Sequence, residues 1–160
     1  MKIFFDSTYF FPSIGILPEK VPEKYLLNWL EKGIDHELFC STISLFELQA
    51  KGAKYYRTGE LTPQEVTQGI ASINMEPQLR KIPFWESNIS LLALELRKKH
   101  NDFINCLILS SSMITADVLI SEDPWMHNFL KEEFSADFAE KWTINSNFKV
   151  FTAKNYSITD

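Results

Sequence analysis

The chain has 160 residues, of which 45% are hydrophobic and 23% are charged, and its formal net charge is −5 at pH 7. This length predicts one domain, residues 1–160, with a hydrophobic core of its own. The acidic balance excludes a protein that coats nucleic acid without specificity, because such a protein would be basic. No apolar stretch approaches the ~20 residues of a membrane span and no signal peptide is recognisable, so we expect a cytoplasmic protein without a membrane partner.

Short apolar runs that predict strands alternate with longer segments of helical periodicity. Strands are predicted over residues 2–6, 37–42, 118–121 and 148–152, and residues 82–85 are either a short strand or an extended link. Helices are predicted over residues 22–32, 44–57, 63–75, 86–100 and 103–113, with Gly33 ending the first of them. Residues 9–17 predict a short helix and a loop, and another short helix begins at Pro124. This alternation, without a hairpin signal, predicts an α/β fold with a parallel sheet.

Acidic side chains recur where predicted strands end or the following helices begin. Asp6 closes the first strand, and Asp123 follows the strand at residues 118–121. Glu47 lies in the first turn of the helix after the second strand. Asp102 and Asn105 stand three residues apart at the start of an apolar helix, and therefore on one face of it. In a parallel α/β fold these positions share one edge of the sheet, so we expect the side chains to converge.

Convergent carboxylates suit a hard divalent cation. Mg²⁺ and Mn²⁺ prefer oxygen ligands, and a cation relieves the repulsion that would otherwise raise the pKa of each acid. Such an ion can activate a water as a nucleophile and neutralise charge on a phosphodiester. Each acid also has a structural interpretation. Asp6, Asp102 and Asp123 could cap the next helix, and Glu47 could close a capping box with Ser44.

Four segments in this order resemble a PIN domain, the nuclease fold of the VapC-type toxins in prokaryotic toxin–antitoxin pairs. The segments are residues 3–7 (IFFDS), 41–48 (STISLFEL), 96–108 (LRKKHNDFINCLI) and 119–123 (LISED). They resemble, in turn, the parts of the family that carry its first, second, third and fourth acids. The resemblance covers most of the chain.

This resemblance implies a single PIN-like domain with a five-stranded parallel sheet, helices on both faces, and an endoribonuclease site dependent on Mg²⁺ or Mn²⁺. Asp6 and Asp123 would hold the metal, and Glu47 would ligate it or orient the attacking water. Asp102 and Asn105 would complete the ligand set. The implied partners are an RNA substrate and an antitoxin protein.

Asn105 departs from the family pattern, because the third acid aligns best with this amide. An amide oxygen can ligate a hard cation but adds no charge, and ligand charge controls affinity. Asp102, one turn earlier, could substitute directly or through a water. Ser7 and Ser121 are expected to hydrogen-bond the carboxylates.

Two alternatives to an active nuclease stay open. The first is a catalytically degenerate PIN-like module that only binds RNA or protein, with Asn105 as the mark of lost activity. The second is a haloacid-dehalogenase-type phosphatase, since that fold also opens with an aspartate after its first strand. Against the phosphatase, Thr8 stands where that family has a second aspartate.

Two basic groups border the acidic positions and are candidates for contacts with the RNA backbone, with a solvated helix face as the alternative. The first group follows Glu47 along its helix and the second precedes Asp102: Lys51, Lys54 and Arg57, and Arg97, Lys98 and Lys99. An aromatic patch of Trp29, Tyr55 and Tyr56 is a candidate surface for a homodimer or an antitoxin, with burial in the core as the alternative.

Overall fold

Five short strands form one parallel sheet in a computed structural model that describes residues 1–32 and 35–156. The strands are β1 (Lys2–Phe5), β2 (Glu37–Ser41), β3 (Leu79–Ile82), β4 (Val118–Ile120) and β5 (Lys149–Phe151). Their spatial order is β3-β2-β1-β4-β5, and every neighbouring pair is parallel. The strand that ends at Asp6 therefore lies at the centre of the sheet. Gly33, the predicted end of the first long helix, lies outside the described residues.

Helices cover both faces of the sheet. They are a 3₁₀ helix (Ser7–Ile14), α1 (Tyr25–Lys32), α2 (Thr42–Arg57), α3 (Pro63–Met75), α4 (Ser87–Arg97), α5 (Phe103–Thr115), α6 (Pro124–Glu132) and α7 (Ala136–Trp142). Successive strand residues point to opposite faces. Ile3 and Phe5 accordingly pack against the 3₁₀ helix, α1 and α3, whereas Phe4 packs against α4, α5, α6 and α7. This confirms the predicted α/β fold with five parallel strands and helices on both faces.

One strand and one helix differ most from the prediction, and helices α1, α2, α4 and α5 differ by two or three residues at one end. The third strand lies at Leu79–Ile82 rather than at residues 82–85, because its register with β2 pairs Leu38 with Leu79 and Ser41 with Ile82. Pro83 lacks the N–H that a further ladder bond would need. The helix α7 was not predicted. It begins at the N-cap Ser135, whose hydroxyl accepts from the Phe138 amide.

Of the aromatic residues considered for a surface patch, Trp29 is buried in the core, which is the alternative given for this group. Trp29 is 3% exposed and packs among the rings of Phe5, Tyr25 and Tyr156. Tyr56, in contrast, is 55% exposed. No helix within the described ranges is long and apolar enough to cross a membrane.

Helix α3 packs closely against the 3₁₀ helix on the side of the sheet where Phe5 is buried. A Cβ added to Gly69 would lie 2.2 Å from the backbone oxygen of Ser13 and 2.5 Å from the Ile14 side chain. Because the nearest atom belongs to the backbone, it cannot move aside as the end of a flexible side chain could. The absence of a side chain at Gly69 thus allows α3 to approach.

We predict that Gly69→Ala destabilises the protein by about 1–3 kcal/mol, the usual cost of overpacking. In an open helix the same change would stabilise by about 1 kcal/mol, so the sign is diagnostic. Urea unfolding measures it. The exposed neighbour Gln68 provides the control, and Gln68→Ala should stay within about 0.5 kcal/mol of the parent. A more stable Gly69→Ala protein would contradict this packing.

Candidate metal centre

Asp6 is a buried carboxylate at the carboxyl end of the central strand. Its residue is 5% exposed, and its side chain makes no capping hydrogen bond to the 3₁₀ helix that follows. The Ser121 hydroxyl donates to Oδ2 at 2.8 Å, and the Thr8 hydroxyl lies 3.4 Å from the same oxygen. Asp6 thus occupies the N-cap position without a side-chain capping bond of full geometry, although the nearby Ser7 amide lowers its pKa.

Burial dominates the electrostatics of Asp6. It raises the pKa of the carboxyl from 3.8 to about 7, partly offset by the hydrogen bond from Ser121. The charges of Glu47 and Asp123 raise it further. Such coupling requires these two acids to lie near Asp6 although they are distant in sequence.

Glu47 lies in the second turn of α2 and not in the first. The helix begins at Thr42 because Ser41 is its N-cap and accepts from the Ile43 amide at 3.4 Å. The predicted capping box with Ser44 is therefore wrong: the Ser44 hydroxyl is buried and has no hydrogen-bond partner within the described residues. Helix capping therefore does not explain why a glutamate stands at position 47.

The pKa of Glu47 is raised, chiefly by burial and also by the charge of Asp102, and it is lowered by the hydroxyl of Ser7 and the charge of Lys51. The Ser7 hydroxyl is itself buried and completes no hydrogen bond among the described residues. The hydroxyl is nevertheless close enough to the Glu47 carboxylate to lower its pKa, so Glu47 is its polar neighbour although the geometry falls short of a full hydrogen bond.

Asp102 is the N-cap of α5, as predicted, and Asn105 lies in the first turn of that helix. Asp102 Oδ1 accepts from the amides of Ile104 at 2.9 Å and Asn105 at 3.2 Å. Only one carboxylate oxygen is occupied by these caps. The side-chain amide of Asn105 donates to Asp123 Oδ2 at 2.8 Å, so its carbonyl oxygen is not used in that bond.

Asp123 is both a cap and a member of the acidic edge. Its Oδ1 accepts from the amides of Trp125 at 2.8 Å and Met126 at 3.3 Å, which starts α6. Its own backbone amide donates to the Ser121 hydroxyl at 3.1 Å. Because that hydroxyl also donates to Asp6, Ser121 connects the two acids.

The structure thus gathers Asp6, Glu47, Asp102 and Asp123 at the carboxyl edge of the sheet. The charges couple in pairs: Asp6 with Glu47 and Asp123, and Glu47 with Asp102. Within residues 1–32 and 35–156, however, no group of three or more His, Cys, Asp or Glu side chains is close enough to hold a metal ion. These acids therefore lie near one another without converging on a single point.

His100, just before Asp102, stacks on Trp125, just after Asp123, and this contact was not predicted from the sequence. The rings of His100 and Trp125 are parallel within 6°, with centroids 4.0 Å apart. The Arg97 guanidinium donates to the His100 carbonyl at 2.7 Å and holds the same loop. The start of α5 is therefore attached to the start of α6. Neither residue has a local sequence signal, because the contact spans 25 positions of the chain.

The predicted basic contacts differ in their surroundings. Lys98 forms an ion pair with Glu95 at 2.8 Å, and Lys99 forms one with Glu133. Arg97 is engaged with its own loop. Lys51 lies one turn beyond Glu47 on the same helix face, and its ammonium is 5.8 Å from the centroid of the Phe11 ring.

The comparisons with known proteins show the fold. No family model matches the chain, and no curated protein matches its sequence. A chain in the crystal structure of VapBC2 from Rickettsia felis bound to a DNA fragment from their promoter superposes with a TM-score of 0.57 at 18% identity. The match covers 95% of this chain and 98% of that chain.

We predict that the metal-free protein loses stability as pH rises through about 7. The folded state holds the Asp6 proton more tightly than the unfolded chain does, so this contribution is complete below about pH 4 and is lost towards pH 8. With about 1.4 kcal/mol for each pKa unit, the loss is on the order of 2–4 kcal/mol. Urea unfolding in a chelator between pH 4 and 8 measures it.

Asp6→Asn is the matched comparison for that titration, because it keeps an acceptor for Ser121 but cannot ionise. We expect a flatter stability profile and a protein more stable than the parent at pH 8. Parallel profiles for the two proteins would show that Asp6 titrates as an ordinary carboxylate.

Proposed function

We propose that this protein is a metal-dependent endoribonuclease of the PIN type and the toxin of a toxin–antitoxin pair. The observation that carries the proposal is the Asp6 carboxylate, which is buried at the end of the central strand and makes no side-chain capping hydrogen bond. A buried carboxylate with one strong hydrogen bond is costly unless a cation neutralises it. The similarity in fold to a chain of the VapBC2 complex supports the same conclusion.

Acids that do not converge as three or more ligands would suit Mg²⁺ or Mn²⁺ better than zinc. Mg²⁺ keeps several waters and is usually bound through one or two carboxylates together with substrate phosphates. Asp6 and Asp123 would be the protein ligands, and the carbonyl oxygen of Asn105 would be a third. The Ser7 hydroxyl, which lies beside the Glu47 carboxylate, would also hydrogen-bond a bound water.

The cation would supply a water of lowered pKa and positive charge beside the phosphodiester. Glu47 would accept the proton of the attacking water, because burial raises the pKa of its carboxyl towards the range of an effective base. The water oxygen would bond to phosphorus while the bond to the leaving oxygen breaks. Asp102, fixed by its cap bonds, would orient a second water near Glu47.

RNA contacts would come mainly from α2. Lys51 lies one turn after Glu47, and Lys54 and Arg57 continue along the same helix. Lys98 and Lys99 already interact with carboxylates. Exposed ion pairs of this kind contribute little, so these two lysines could still exchange partners for phosphate.

A protein partner has a suitable surface on the opposite face of the sheet from α5. An apolar cavity of about 300 Å³ opens between the 3₁₀ helix, α1 and α3. Leu26, Leu27 and Leu30 line one side of it, and Leu27 is 53% exposed. An apolar segment of an antitoxin would bury this surface. For a homodimer, the exposed Leu91 and Leu94 of α4 offer an apolar strip.

A degenerate binding module is the second candidate, and Asn105 favours it. This residue brings no charge to the centre and its nitrogen is directed at Asp123. Such a module would bind RNA without cutting it.

We predict that the pure protein cleaves structured RNA in Mn²⁺, and that Asp6→Asn or Asp123→Asn lowers kcat/KM at least about 100-fold. Loss of a metal ligand removes several kcal/mol of transition-state stabilisation. Asparagine is as good a cap as aspartate, so α6 should persist in the second variant. The control is Asp35→Asn, at an exposed residue before β2 on the other edge of the sheet. RNA binding without cleavage by metal-loaded protein would favour the module instead.

We also predict that Asn105→Asp tightens Mn²⁺ binding about tenfold, which corresponds to about 1.4 kcal/mol for the added charge. Without metal, the same change places two carboxylates together and should lower stability by about 1–3 kcal/mol. Isothermal calorimetry and urea unfolding measure the two effects.

Asn145→Asp is the matched control for this substitution. Asn145 donates its side-chain amide to Asp117 Oδ1 at 3.0 Å, at the start of β4 and away from the acidic edge. This variant should leave the Mn²⁺ affinity unchanged. Equal effects of the two variants on Mn²⁺ affinity would show that Asn105 lies outside the centre.

A further inference from the structure

Two exposed aromatic residues are the immediate sequence neighbours of two of the acids. Phe46 precedes Glu47 and is 60% exposed, and Phe103 follows Asp102 and is 39% exposed. A third ring, Trp85, is 63% exposed. Single exposed apolar residues are ordinary on a protein surface, whereas several at one edge mark an interaction site.

The segments that carry these three residues lie in contact with one another at the carboxyl edge of the sheet. Phe46 lies one turn after Thr42 on the same face of α2. The Thr42 hydroxyl accepts from the Phe84 amide at 3.3 Å, so the segment after β3 reaches the start of α2. The ring of Trp85 packs edge-on against that of Phe84, with centroids 5.3 Å apart. Helices α2 and α5 are also in contact, and Phe103 is the first residue of α5.

The negative charge near these rings favours a neutral ligand group over a free phosphate. Carboxylates beside them repel phosphates that no cation accompanies, so the backbone of a nucleic acid gains little here by itself. A nucleobase is neutral, and its face stacks on an aromatic side chain. Only an unpaired nucleotide exposes that face to a protein. Lys51, one turn beyond Glu47, is placed to take the adjoining phosphate.

We propose that Phe46, Trp85 and Phe103 form a stacking rim that binds unpaired bases on either side of the bond to be cleaved. The proposal rests on the ribonuclease function and adds the residues that hold the substrate. In the rim, the rings supply affinity while the acids and the cation supply the chemistry. A protein that covers the same rings, such as a second copy of the chain, is the competing occupant.

The test measures RNA binding in an Asp6→Asn background, which prevents cleavage. The probe is a short single-stranded RNA that contains 2-aminopurine, whose emission falls when the base stacks. Phe46→Leu and Phe103→Leu keep an apolar side chain but lose the ring. Each should weaken binding about fivefold to 100-fold, the range for loss of one stacked base, and should reduce the quenching. Phe46→Tyr should restore both.

Tyr56→Leu is the control for an exposed ring elsewhere. Tyr56 is 55% exposed on the same helix, about 15 Å along its axis from Phe46, and its loss should leave the quenching of 2-aminopurine unchanged. The same RNA annealed to its complement should bind more weakly than the single strand. Circular dichroism checks that each variant is folded.

Leucine variants that bind and quench as the parent does would overturn the stacking rim. So would leucine variants that change the sedimentation of the free protein but not its RNA binding, since the rings would then belong to a protein interface. The two proposals fail separately. Ring-dependent binding without cleavage in Mn²⁺ by the wild-type protein refutes the nuclease alone, whereas cleavage with ring-independent binding refutes the rim alone.

Discussion

Burial of the Asp6 carboxylate is the constraint around which this edge of the protein is organised. The strand that carries it is central, so the side chain emerges among neighbours that exclude water. The surrounding chain provides one short hydrogen bond, from Ser121, and nearby acids that oppose ionisation. A fold that keeps an acid in such a place loses stability at neutral pH unless something neutralises the charge. A bound cation would neutralise the charge and would also activate a water as a nucleophile.

Near Asp6, the carboxylates of Asp102 and Asp123 cap helices with one oxygen and leave the other oxygen for different contacts. Asp102 and Asp123 each use Oδ1 for capping. For Asp123 the other oxygen accepts from Asn105. Caps fix the direction of a carboxylate better than a free side chain could, because each one accepts from two backbone amides. A neutral amide at position 105 also avoids a further repulsion beside Asp123, which makes the metal-free state easier to keep folded.

Sequence patterns predicted the strands that carry the site because local signals define them: apolar runs, acids at their ends and the caps that follow. They failed where distant partners decide. The position of β3 depends on its register with β2, and the choice of Ser41 over Ser44 as the cap of α2 depends on where β2 ends. The stack of His100 on Trp125 and the pair of Lys99 with Glu133 join segments with no local relation. Of the supporting side chains, Ser121 was predicted and does donate to Asp6, whereas the ring stack and the ion pair of Lys99 had no local signal.

The most direct measurement is anomalous diffraction from crystals soaked in Mn²⁺, since it locates the ion without assuming any family. The account predicts a peak within bonding distance of the carboxylates of Asp6 and Asp123, with Asn105 or water completing the coordination. A chain with no peak at this edge, or with its ion held elsewhere, would contradict the central claim that these acids form a cation site.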